Sequence, residues 1–209
     1  MDPNLIPNAL SLTLFFVALF ISLRALYLYI QSRARRLFIL GLSMGVISLT
    51  AIAGFAGDNI TSVSLNVDWF NYIGQSVSFL FILLSFLRSS DDYLRRLMRW
   101  HVVASALLLI LLLFATALPD FPNPAVTKTV LSGSRGLMCA IIFFCYVSAF
   151  MTKETRFSFL MSAAFLILST GYFIIIPKYS SPIFESLDQI GDITRITGLI
   201  TLLIAVLLG

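Results

Sequence analysis

Charge is what this sequence has least of. Only 11% of its 209 residues are Asp, Glu, Lys or Arg, against about 25% in an average soluble domain. By contrast 59% are hydrophobic, and the mean hydropathy is +0.97. A water-soluble domain of this size has too little interior to hide so much apolar surface. Composition therefore excludes a soluble globular protein, a disordered tail and a nucleic-acid-binding module. Histidine is almost missing, with His101 the single copy. One imidazole supplies neither two axial ligands to a haem nor a multi-histidine metal site, so no metal or cofactor is expected. The two cysteines, Cys139 and Cys145, sit six apart in one apolar stretch, a helical spacing that turns them to different faces and argues against a disulfide. Glycine-rich phosphate loops and HExxH are missing, and the last apolar run has no lysine to carry a retinal Schiff base. The adjacent pair Asp91-Asp92 has no second acidic cluster and reads as a helix cap. The chain is expected not to be an enzyme.

What is present is a series of long runs without charge. They cover Pro3–Leu23, Leu37–Gly57, Trp69–Leu87, Trp100–Pro119, Gly136–Thr152, Phe157–Pro177 and Ile196–Gly209. A helix crossing the hydrocarbon core needs about 20 apolar residues, because ~30 Å is covered at ~1.5 Å per residue. The alternating strands of a membrane barrel are not seen. The expected fold is an all-α integral membrane protein, a single-domain bundle of seven transmembrane helices. Their spans fall near 9–31, 36–57, 68–88, 99–118, 127–152, 156–177 and 186–208. Turn chemistry separates them at Gly57-Asp58-Asn59, at Pro119 through Pro124 and at Pro177 through Pro182. Ser32–Arg36 is a short polar hinge. Met1–Ala9 has no basic region or cleavage site, so the first span reads as a retained helix.

Basic residues set the expected orientation. Arg33, Arg35, Arg36, Arg88, Arg95, Arg96, Arg99, Lys153 and Arg156 fall in the first, third and fifth loops, nine of the fourteen cations. The opposite side carries only Lys128 and Lys178, with Asp2, Asp58, Asp68, Asp120 and Glu185. The N-terminus is expected outside and the C-terminus in the cytoplasm of a plasma or inner membrane. The basic loops suit anionic lipid headgroups at about 1 kcal/mol per residue, with no nucleic acid implied.

Ionisable and polar groups inside spans are costly, so each is a candidate for function. Asp188, Asp192 and Arg195 stand at i, i+4 and i+7, on one face of the seventh span. Asn71 and Gln75 form an i, i+4 pair in the third, Arg135 lies inside the fifth, and Asp58 ends the second. If these helices are neighbours, the seven residues converge on an outward-facing polar cavity. It would hold a small polar or anionic ligand near Arg135 and Arg195, or a proton on Asp188 and Asp192. The competing reading is structural: Asp192 and Arg195 pair within one helix, and Arg135 satisfies a carboxylate across helices. Arg24 is expected to snorkel to the interface, and His101 to lie at a span boundary as an interfacial residue. Gly41 and Gly45 form a GxxxG for close helix contact, with Ser132, Gly133 and Gly136 playing that part in the fifth span. Asn59-Ile60-Thr61 is a glycosylation sequon.

Three functions fit these features. The first is a sensor or signal-input bundle, an architecture similar to bacterial seven-helix sensor modules although no motif names a family. In that reading the hydrophobic end Ala205–Gly209 continues into a cytoplasmic effector. The second is a non-catalytic membrane subunit of a larger complex. The third is a small-solute or proton-coupled transporter working through the seventh-span carboxylates.

Overall fold

The computed structural model of the protein describes residues 5–59, 66–88, 90–116, 118–179 and 186–208. They form α1 (Leu5–Ser32), α2 (Arg35–Asn59), α3 (Asp68–Leu87), α4 (Asp91–Leu113), α5 (Pro124–Lys153), α6 (Arg156–Ile174) and α7 (Ser186–Leu208). A short 3-10 turn, Ile176–Tyr179, follows α6, and no strand occurs among the described residues. By length and composition, all seven α-helices are able to cross a membrane.

The helix ends follow from local chemistry. Arg33 takes a left-handed backbone (φ 56°) and ends α1, its N–H bonding back to the Tyr29 carbonyl at 2.8 Å, as a helix C-terminus requires. Asn123 turns left-handed ahead of Pro124, whose missing N–H costs nothing in the first turn of α5. Thr155 caps α6 by accepting from the Ser158 amide at 3.3 Å. α4 differs most from the expected span, starting eight residues earlier and stopping five earlier. Its charged opening, Asp91 to Arg99, is continuous with the apolar part, because charge ends a membrane span and not a helix. Its far end is cut short by α3. Trp69 Nε1 donates to the Pro119 carbonyl at 2.7 Å, and Asn66 Nδ2 donates to the carbonyls of Leu118 and Pro119. These bonds hold the chain in a turn where a longer helix would run.

The chain divides into two compact units, residues 14–122, and residues 123–209 together with the opening residues through Thr13. In the first, small residues let helices approach. Ser22 Oγ donates to the Gly41 carbonyl at 2.7 Å, and a Cβ added at Gly41 would lie 2.8 Å from Leu26 Cγ. The GxxxG of α2 is thus spent on α1. Ile39, Phe81, Leu94 and Leu97 pack α2, α3 and α4 together, with Val46, Phe70 and Leu108 forming a second cluster. Arg35 reaches Asp91 at 2.5 Å, but the acid side chain is 82% exposed, so this pair adds little stability. In the second unit, Ser169 Oγ donates to the Gly136 carbonyl at 2.9 Å between α6 and α5, and Met161, Phe165, Ile142 and Leu202 fill the interior.

Large apolar side chains such as Phe16, Leu113, Phe144 and Met151 are more than half exposed. Water does not tolerate apolar surface on this scale; a bilayer does.

Candidate functional site

Four of the seven candidate residues come together, and all four belong to the α5–α7 unit. α7 supplies Asp188, Asp192 and Arg195 on one face. Arg195 Nη2 donates to Asp192 Oδ1 within the helix, the pairing that the i, i+3 spacing favours. Both members are shielded, with side chains 16% and 6% exposed. Asp188 is paired instead with Lys178 of the 3-10 turn. Arg135 is 4% exposed. It donates through Nη2 to Ser132 Oγ at 2.9 Å and through Nε to the Leu131 carbonyl at 3.3 Å. Ser132 continues the chain to the Tyr179 hydroxyl at 3.5 Å.

At the centre is Tyr172 of α6, a residue the sequence reading did not single out. Its ring centroid lies 4.9 Å from the Arg135 guanidinium carbon and 5.5 Å from that of Arg195, both within cation–π range. One buried ring therefore faces two cations. The arrangement depends on an unusually close contact of α6 with α7. A Cβ added at Gly171 would lie 2.7 Å from Arg195 Cγ and 3.1 Å from the Gly191 carbonyl oxygen. Only glycine leaves the room that the Arg195 stem occupies. Arg195 Nε is buried and makes no hydrogen bond.

The other candidates belong to the 14–122 unit or fall outside the described residues. Gln75 donates to Thr50 Oγ1 at 3.3 Å, joining α3 to α2, and Asn71 packs over Gly54 of α2. Both belong to the 14–122 unit. The Asp58 side chain and part of the Asn59 sequon lie outside the described residues. His101 is enclosed by protein. It is 1% exposed, stacked on Phe81 at 4.2 Å and 3.4 Å from Ser43 Oγ, because the packing of α4 on α2 and α3 continues past the charged segment. Cys139 and Cys145 are free thiols. Among the described residues no group of three His, Cys, Asp or Glu side chains is placed to hold a metal ion.

No protein-family model, curated protein or solved structure matches this chain.

The missed residues had a faint signal. Lys178 stands ten residues before Asp188 with Pro177 and Pro182 around the reversal, and a helical hairpin brings such positions side by side. Tyr172 had none, since one tyrosine in an aromatic-rich span looks like a lipid-facing ring.

Proposed function

We propose that the protein is a non-enzymatic, multi-pass membrane signal-input bundle whose polar site lies among α5, α6 and α7. One observation supports this above the others: the guanidinium groups of Arg135 and Arg195 both sit on the buried ring of Tyr172. Two cations on one ring repel each other, and the Asp192 carboxylate offsets that repulsion beside Arg195. A small anion between the two guanidinium groups would be bound by charge-assisted hydrogen bonds in a site of low dielectric. It would compete with Asp192 for Arg195. Because the Arg195 stem lies against Gly171, a change in its position alters the contact of α6 with α7, the element through which a signal would leave. In this reading the N-terminus is outside, the C-terminus is cytoplasmic, and the basic loops around Arg33–Arg36, Arg88–Arg99 and Lys153–Arg156 rest on anionic headgroups of the plasma or inner membrane. A cytoplasmic effector or partner subunit receives the signal.

The test is thermal unfolding of the purified protein in lipid nanodiscs with acetate, nitrate, phosphate, aspartate and citrate. At least one of these is expected to raise the melting temperature in a saturable way, and Arg135→Gln and Arg195→Gln to remove that effect. A uniform response that both variants retain would sink the reading. Saturable uptake of the same anion by liposomes, lost in Asp192→Asn, would favour the transporter instead.

A further inference from the structure

A feature with room for a ligand lies wholly within the 14–122 unit. A cavity of about 410 Å³ opens among α1, α2, α3 and α4, a size within the ~300–1,000 Å³ range of small-molecule sites. Ten of its thirteen lining residues are apolar, Leu19, Val46, Phe70 and Leu108 among them, and none is charged. The remaining three are serines. Two have their hydroxyls committed to backbone carbonyls, Ser22 to Gly41 and Ser48 to Phe15. The third, Ser105, is 8% exposed, and its Oγ has no hydrogen-bond partner. Buried hydroxyls are almost always satisfied, so this one waits for an oxygen. Leu49 and Leu109 of the lining are 40% and 46% exposed, so the cavity communicates with the surface that faces lipid.

We propose that this cavity binds one hydrocarbon chain bearing one uncharged oxygen function, a hydroxyl or an ester, held by Ser105. The lack of charge excludes a free carboxylate or phosphate inside it, and the one unpartnered hydroxyl fixes one polar contact. Two sources carry this chemistry: a free long-chain alcohol or prenyl-type lipid, or the ester-bearing chain of a bilayer phospholipid.

The test photolabels the full chain in phosphatidylcholine nanodiscs with hexadecanol carrying a mid-chain diazirine, and maps the adducts by peptide mass spectrometry. Adducts are expected on Leu19, Val46 and Phe70. Ser105→Ala should lower their yield about tenfold for the alcohol, the loss of one buried hydrogen bond. The same variant should leave labelling by the matching diazirine hexadecane unchanged. Leu49→Trp, which fills the mouth, should reduce both. Variant melting temperatures control for folding, and competition by unlabelled hexadecanol on the unmodified chain gives a readout that needs no variant. Labelling of the same residues by diazirine-acyl phosphatidylcholine, outlasting added hexadecanol, assigns the chain to bilayer lipid; displacement by hexadecanol assigns it to a free ligand. Adducts spread evenly over lipid-facing residues such as Phe16 and Leu113, and indifferent to both variants and to competitor, overturn the proposal.

Discussion

At the scale of single residues, the energetics of the α5–α7 cluster turn on what is shielded. Removing the carboxylate in Asp192→Ala leaves the Arg195 guanidinium buried without its ion-pair partner. Such a loss typically costs about 3–5 kcal/mol. The double variant Asp192→Leu/Arg195→Met removes both charges and should recover most of that loss, which denaturant or thermal unfolding in mild detergent will read. Lys178 is different. Its side chain is 36% exposed, so Lys178→Met should cost no more than about 1 kcal/mol. The α7 face was legible in the sequence because Asp188, Asp192 and Arg195 repeat at helical spacing. The partner of Asp188 was not, because Lys178 meets it only once α6 and α7 reverse. The burial of His101 was hidden for a related reason: charge beside a residue says where water begins and nothing about which helix covers it.

At the scale of elements, glycine positions decide which helix pairs tolerate change. Gly171→Ala places a methyl group 2.7 Å from Arg195 Cγ and 3.1 Å from a backbone oxygen. It should destabilise by about 1–3 kcal/mol, as overpacked cores do. Gly133→Ala is a matched control on α5. Its added Cβ would meet only Ile176 Cδ1, at 3.6 Å, and better helix propensity should make the change neutral or stabilising by up to about 1 kcal/mol. Thermal melts of the two variants side by side check both. All seven helices could be read from the charge-free runs, three of the six breaks between them from Pro and Gly and the other three from polar or charged stretches. The exception is α4, whose start lies inside a charged stretch and whose end is set by Asn66 and Trp69, more than forty residues earlier. Hydropathy carries no record of such bonds.

At the scale of the whole molecule, the orientation predicted from nine clustered cations has a direct check. In a Cys139→Ser/Cys145→Ser background, Arg36→Cys should react with an impermeant maleimide only after the membrane is opened. Asp120→Cys should react in intact cells. The reverse pattern would invert the bundle. The grouping of helices into two units was not legible in the sequence. Apolar periodicity marks which residues leave water, but nearly every face of these helices is apolar, so it does not name the neighbour each face will choose. Within one unit the structure gathers Arg135 with the three α7 residues, and within the other it gives Gln75 and Asn71 contacts with α2.

The division of α1 bears on how the protein is made. Its residues from Leu14 onward belong with α2 to α4, whereas its opening turns through Thr13 belong with residues 123–209. Those opening turns are translated ahead of residues 123–209, the segment they are grouped with. Residues 14–122 are able to settle while translation continues, but the turns through Thr13 wait for a unit whose other residues are made more than a hundred positions later.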